Sequence, residues 1–197
     1  MASDKLRAPR AQPQGKKTAT KRAPAKQLRA TAARRKPIPE TTGVIAYRSA
    51  KGVDDYVRQV ARATPLQLVE IERQGVLGTF IKDLSKRMEI PSSRIFTILG
   101  VPKATAEKKA AAGERVEGSG GQAAIGMVKL LGIAQEIVAN STAREAKTFD
   151  ATKWLGQWIE RPQRALGGRK PAELLDTPTG AELVARLLGS IESGAYQ

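Results

Sequence analysis

Apolar residues in the middle of the chain recur every three or four positions, the spacing that places them on one face of an α-helix. This pattern predicts a short helix over residues 53–62 and another over residues 77–88. Between them, Thr64 begins a capping-box pattern, and Pro65 suits the first turn of a further helix. This part of the chain is therefore predicted to be all-α.

A glycine-containing turn then separates two more predicted helices, over residues 94–99 and 103–112. Gly100 permits a left-handed backbone conformation, and Val101 can fill the angle between the helices. This order is the helix-turn-helix arrangement, whose second helix enters the major groove of DNA. The alternative interpretation is a solvated basic face on an ordinary core helix. The candidate DNA-binding residues are Arg94, Lys103, Thr105, Lys108, Lys109 and Arg115.

Residues 113–121 are rich in glycine and predict a hinge between two domains. No Lys-Ser/Thr pair follows them, so they do not form a Walker-type phosphate-binding loop. A long helix over residues 122–140 comes next, and its broad apolar arc predicts burial on more than one side. The predicted organisation is a tail over 1–52, a helix-turn-helix domain over 53–118 and a second domain over 119–197.

The C-terminal stretch predicts a compact helical unit. Trp154 and Trp158 are four positions apart and share one helix face, either as core anchors or as a binding hot spot. Because the chain has few other aromatic residues, at least one of them is predicted to be a core anchor. Thr177 and Pro178 form the N-cap and first-turn proline of a last helix, which Gly194 ends. The apolar stripe of that helix consists of Leu183, Val184, Leu187, Leu188 and Ile191.

Charge changes this picture mainly at the N-terminus. The formal net charge is +15, of which +11 lies in residues 1–39 and +4 in residues 40–197. Residues 1–52 contain too few large apolar side chains to offset the entropy lost on ordering, so they are predicted to be a disordered basic tail. Such a tail is either a solubilising linker or an arm that adds salt-dependent contacts to DNA phosphates.

The chain contains no cysteine and no histidine. Their absence removes disulfides, thiolate chemistry, the usual general base and the commonest metal ligand. We therefore expect no metal site, no catalytic residues and no cofactor. A long apolar run and a secretory signal are also missing, so we expect a cytoplasmic protein that does not span a membrane.

Many positions between 154 and 197 follow one order: tryptophan–leucine, proline, leucine-glycine-glycine, proline, leucine-leucine, and a final glycine–aromatic pair. They are Trp154-Leu155, Pro162, Ala165-Leu166-Gly167-Gly168, Pro171, Leu174-Leu175, Asp176-Thr177, Gly180, Val184, Leu187-Leu188, Ile191-Glu192 and Gly194-Ala195-Tyr196. This stretch resembles the toxin-binding domain of the Xre/MbcA/ParS antitoxin family.

The resemblance implies a type II antitoxin whose partner is a RES-domain or ParT/MbcT-like toxin, an enzyme that consumes NAD or transfers ADP-ribose. It also implies an Xre-type helix-turn-helix, a homodimer to which the long helix contributes, and repression of the protein's own operon at operator DNA. The C-terminal end would enter the toxin's active site. The toxin-binding residues it implies are Arg164, Leu166, Gly167, Gly168, Ile191, Glu192, Gly194, Tyr196 and Gln197.

A different function remains open at this point. The chain can also be a DNA-binding regulatory or architectural protein without a toxin partner, in which the basic tail dominates binding. A tail-driven protein would lose DNA affinity steeply with salt and show little sequence preference.

Overall fold

The computed structural model describes residues 45–192, with only the backbone described for Glu192. Most of the predicted tail, residues 1–44, lies outside the described residues. So do Gly194, Tyr196 and Gln197 of the predicted toxin-binding set.

The described chain is helical apart from two very short strands, which confirms the all-α prediction. The α-helices are α1 (Gly52–Ala61), α2 (Pro65–Gln74), α3 (Gly78–Arg87), α4 (Ser92–Ile98), α5 (Lys103–Ala112), α6 (Gly118–Asn140), α7 (Ala151–Trp158) and α8 (Pro178–Glu192). Short 3-10 turns span Ser49–Lys51, Arg144–Thr148, Arg164–Leu166 and Pro171–Glu173. The strands β1 (Val76–Leu77) and β2 (Arg115–Val116) pair antiparallel, with Val76 opposite Val116.

Side-chain caps fix where several helices begin. At α2 the capping box is complete, because Gln67 N donates to Thr64 Oγ1 at 3.3 Å and Thr64 N donates to Gln67 Oε1 at 2.9 Å. At α8 the N–H of Gly180 donates to Thr177 Oγ1 at 3.1 Å. The predicted starts of these two helices are therefore confirmed.

Helix α6 is the central element of the described unit. It packs against α1, α2, α7 and α8, and its buried residues run from Gly120 to Ala134. One hydrophobic core extends from Tyr47 to Leu188 and contains side chains from both predicted domains. Among the described residues α6 is long and apolar enough to cross a membrane. Its apolar surface is largely covered by the other helices, as in the core helix of a globular unit.

The glycine-rich segment is not a hinge, and that prediction was wrong. Helix α6 already begins at Gly118, and Gly120 and Gly121 are buried in its first turn. A Cβ on Gly121 would lie 2.5 Å from the carbonyl oxygen of Val116, and one on Gly120 would overlap the side chain of Val101. These glycines allow α6 to approach the strand pair closely, so they serve packing rather than flexibility.

The predicted tail extends too far into the chain. Tyr47 is buried at 7% exposure, and its ring packs on Phe80 with 4.9 Å between ring centroids. Its hydroxyl donates to Asp83 Oδ2 at 2.7 Å. Burial, with this hydrogen bond, raises the pKa of Tyr47 to about 12. Residues 45–52 therefore belong to the folded part, held there by one aromatic anchor.

The predicted stripe of α8 also needs one correction. Val184 and Leu188 are fully buried, Leu187 is nearly so, and Ile191 is half-buried. Leu183, in contrast, is 46% exposed. The buried face of α8, which packs against α6, is therefore narrower than predicted.

Candidate functional site

Helices α4 and α5 and the turn between them lie where the sequence predicts a helix-turn-helix. Gly100 has φ +64°, a conformation that favours glycine. Val101 is 6% exposed, and its N–H donates to Phe96 O at 2.8 Å, so it fills the angle between the helices. The role of this arrangement in DNA binding stays a prediction.

Helix α5 rests on α3 through small side chains. Ala106 and Ala110 are its buried residues, and Gly78 of α3 lies so close that a Cβ there would be 2.5 Å from Ala110 N. The outer face of α5 presents three of the predicted DNA-binding residues, Lys103, Thr105 and Lys108, all exposed. Lys103 faces Glu107 one turn along, with 3.9 Å between Nζ and Oε1.

The other three predicted DNA-binding residues make bonds inside the molecule. Arg115 Nη1 donates to Gly75 O at 2.9 Å, and Lys109 Nζ donates to Arg115 O at 2.6 Å. These bonds hold the end of β2 against its neighbours. Arg94 of α4 forms a two-pronged ion pair with Glu160, with Nε–Oε1 at 2.6 Å and Nη2–Oε2 at 3.1 Å.

The Arg94–Glu160 pair connects α4 to the residues just after α7. Its hydrogen bonds hold the pKa of Glu160 below its usual value, because they stabilise the carboxylate. A second connection is made by Arg87 of α3, which donates to Asp54 at 2.9 Å and to Asp150 at 2.8 Å. Asp150 also caps α7 by accepting from Thr152 N and Lys153 N.

The two tryptophans of α7 have different environments. Trp158 is buried at 7% exposure, which confirms the prediction that at least one of them is a core anchor. Trp154 is only half-buried and stacks on Trp158 with 6.0 Å between ring centroids. Its other side lies near Phe149, whose ring centroid is 6.1 Å away and whose side chain is 45% exposed.

Phe149 and Trp154 form part of an open apolar groove of about 300 Å³. We call it the α6–α7 groove. Its walls are Ala134, Ile137, Val138, Ser141, Ala143, Glu145, Ala146, Phe149, Trp154 and Ile191. Glu145 is the only charged residue among these, so the groove is suited to an apolar or aromatic side chain.

Residues 161–170 form an exposed loop, which we call the basic loop. Two backbone hydrogen bonds close the loop. Gln163 N donates to Arg169 O at 3.0 Å, and Gly168 N donates to Gln163 O at 3.0 Å. Gly167 and Gly168 have φ +64° and +82°, and a Cβ on either would meet nothing within 4 Å. Glycine is needed here for the backbone conformation rather than for space.

The cations of the basic loop point to solvent. Arg164 and Arg169 are exposed, and neither makes an ion pair within residues 45–192. Lys170 lies 3.5 Å from Glu160 and so joins the Arg94 pair at the base of the loop. A closed loop with outward arginines can bind carboxylates on a partner surface through bidentate contacts.

Comparison with known proteins decides the family. Residues 146–194 match the model of the antitoxin Xre/MbcA/ParS C-terminal toxin-binding domain. A relative named "Prs ADP-ribosylating antitoxin", from Sphingobium sp. (strain YBL2), is 33% identical over 135 residues, which cover 68% of this chain and 84% of the relative. The chain belongs to the Xre/MbcA/ParS antitoxin family. No solved structure matches the antitoxin.

Membership makes the chain an antitoxin with a cognate toxin as partner, as the resemblance implied. The matched region contains the basic loop and, from the lining of the α6–α7 groove, Ala146, Phe149, Trp154 and Ile191. Of the predicted toxin-binding residues, Arg164, Gly167 and Gly168 are exposed on the loop, and Leu166 is half-buried at its base. Ile191 lines the α6–α7 groove together with Phe149 and Trp154, whereas no residue of the basic loop lines that groove.

Phe149 is the residue of this antitoxin that sequence reasoning missed. An aromatic side chain directly before the Asp150 cap of α7 is the only local signal for it. Among residues 45–192 no cluster of acidic side chains is arranged to hold a metal ion.

Proposed function

We propose that this antitoxin neutralises an NAD-consuming or ADP-ribosylating toxin by occupying the toxin's active site with the segment that follows α8. The observation that carries the proposal is the match of residues 146–194 to a toxin-binding domain, together with the relative's name, which refers to ADP-ribosylation. The basic loop would orient the complex. Tyr196 would supply a large, stiff anchor in the cleft, so that inhibition needs no chemistry of its own.

We also propose that the antitoxin represses its own operon. The exposed residues of α5, Lys103, Thr105 and Lys108, would face operator DNA. Arg94, Lys109 and Arg115 would support this surface through the internal bonds described above. A homodimer would present two such helices to a near-palindromic operator. The buried residues of α6 end at Ala134, so a second copy would contact the helix around the partly exposed Ile133.

Co-expression tests the inhibitory mechanism. The candidate toxin is the product of the adjacent reading frame, induced alone, with the full antitoxin, and with an antitoxin truncated after Ser193. This truncation leaves α8 complete and removes Gly194 to Gln197. We expect the full chain to restore growth and the truncated chain to fail.

Two controls separate the possible results. Western blotting shows that the truncated chain is present at the level of the full chain. The variant Leu66→Ala, at an exposed position of α2, should rescue growth fully because it lies outside both surfaces. Rescue by the truncated chain would move inhibition to the basic loop. A harmless neighbour would favour the alternative, a DNA-binding regulatory protein without a toxin partner.

A further inference from the structure

The α6–α7 groove leaves apolar surface open at a place where the described chain ends. Phe149 is 45% exposed and Trp154 half-buried, and the partly buried Ile137 and Val138 line the groove with them. A concave apolar surface of this kind is a candidate binding site. The groove volume of about 300 Å³ is at the small end of known ligand pockets, large enough for one aromatic side chain and its neighbours.

The last described turn of α8 borders this groove. Ile191 forms one of its walls, and Ser193 to Gln197 follow immediately. Five residues in extended form reach about 16 Å, and they start two residues after Ile191, which itself lines the groove. A segment tethered this closely has an effective concentration on the order of millimolar, far above that of a second copy.

The sequence of this segment fits the groove. Tyr196 is its only aromatic side chain, and Ser193, Gly194 and Ala195 are small residues that restrict a turn of the chain little. A tyrosine ring can pack on Phe149 or Trp154, and its hydroxyl needs a polar partner when the ring is buried. Glu145, the one charged residue of the lining, supplies an acceptor at the rim.

We propose that residues 193–197 of the free antitoxin dock in the α6–α7 groove of the same chain, with Tyr196 against Phe149 and Trp154. The segment leaves the groove when it enters the toxin. This second step rests on the proposed function; the docking itself does not. Docking would cover the apolar groove in the free antitoxin. It would also reduce the apparent affinity for toxin in proportion to the fraction of molecules whose segment is undocked.

The absence of cysteine makes a cross-linking test clean, because any disulfide must join the introduced residues. The test variant carries Ala146→Cys in the groove and Gln197→Cys in the segment, and keeps Tyr196. The matched control carries Leu66→Cys on α2 instead of Ala146→Cys. After mild oxidation of dilute protein, we expect a monomeric disulfide to form at least about tenfold faster in the test variant than in the control.

Adding Tyr196→Ser to the test variant should slow this disulfide about fivefold if the tyrosine anchors the segment. Equal rates in test and control variants would overturn the proposal. Disulfide-linked dimers instead of monomers would assign the groove to a second copy, which also overturns it.

A labelling experiment gives an independent reading. The single variant Ala146→Cys should react with a thiol reagent several-fold faster when the chain is truncated after Ser193 than when it is full length. Circular dichroism checks that the full-length and truncated variants are both folded. Equal labelling rates for the two would show that residues 194–197 do not cover the groove.

Purified toxin then tests release. Saturating toxin should reduce disulfide formation between the two introduced cysteines of the test variant. Persistent cross-linking in a toxin complex would overturn release while docking stands. A failure of the proposed inhibition would appear only in the growth assay and would leave the result for the free chain unchanged.

Discussion

The segment around α5 and the basic loop are both rich in cations, and the structure uses several of these cations in different ways. Around α5, Arg94 is bound to Glu160, and Lys109 and Arg115 donate to backbone carbonyls. In the basic loop, Arg164 and Arg169 are exposed and have no ion-pair partner among residues 45–192. A count of charges in the sequence does not separate cations that hold a fold together from those available to a partner.

The largest expected effect comes from breaking the support of α5. The variant Gly78→Ala places a Cβ 2.5 Å from Ala110 N, so α3 and α5 must move apart. We expect a loss of about 3 kcal/mol in the free energy of unfolding, measured by urea denaturation.

Gly132→Ala is the matched control for this variant. A Cβ there would meet Ala61 Cβ at 3.6 Å, an ordinary contact, in the middle of α6. We expect a gain of up to about 1 kcal/mol because alanine has the higher helix propensity. Equal destabilisation by both variants would refute the packing argument.

The next effect concerns the basic loop. Reversing the charge of Arg164 and Arg169 together, as Arg164→Glu with Arg169→Glu, should weaken toxin binding about 30-fold, or roughly 2 kcal/mol. Isothermal titration calorimetry with the purified toxin measures this change.

The double variant Lys103→Glu with Lys108→Glu alters the net charge by the same amount on α5. It should change toxin affinity less than about twofold, since rim charges far from a contact act mainly through screened long-range attraction. Similar losses for both double variants would mean that net charge, and not the loop, attracts the toxin.

A smaller effect is expected on α5 itself. Lys108→Ala should weaken binding to the DNA upstream of the operon about fivefold and lower the slope of log affinity against log salt by about 1. Fluorescence anisotropy over a salt series measures both quantities. Lys86→Ala on α3, where the side chain is 79% exposed, should leave the slope unchanged.

The smallest expected effect tests the connection between the two regions. Glu160→Gln removes the carboxylate that binds Arg94, and should lower the free energy of unfolding at pH 7 by about 1 kcal/mol. The pKa of Glu160 is below its ordinary value of 4.5, so this stabilisation is complete above pH 4.5 and is lost as the pH falls further.

The difference between Glu160→Gln and the natural chain should therefore shrink in acid, as followed by thermal unfolding between pH 7 and pH 3. Glu182→Gln provides the comparison, because Glu182 is 71% exposed and lies 3.7 Å from Arg186. It should have almost no effect at any pH. A constant difference for Glu160→Gln across this range would show that the ion pair does not stabilise the fold.

Local sequence patterns predicted the helices well, and the reasons are visible in the caps. Thr64 and Thr177 each begin a helix through a hydrogen bond within three residues, which a short window of sequence contains. The pairing of Val76 with Val116 joins positions forty residues apart, and no local pattern indicates it.

The prediction of a hinge at residues 113–121 failed for the same reason, because it depended on contacts between residues that are distant in sequence. Gly120 and Gly121 suggest a flexible segment when only the sequence is considered. In the fold they are required because any side chain there would clash with Val101 or Val116. For the site, the exposed loop glycines and one buried tryptophan could be predicted. The α6–α7 groove could not, because Phe149, Ile137 and Ile191 meet only after three separate segments have packed.

Helix α6 passes through a core shared by every other α-helix that it touches, from α1 to α8. Helices α1, α2, α7 and α8 pack directly on it, and α3, α4 and α5 share the same continuous core. Unfolding should therefore be a single cooperative transition in which the α5 face and the basic loop disappear together. A cell that unfolds this protein would lose both surfaces at the same moment, so an intermediate that retains only one of them should not accumulate.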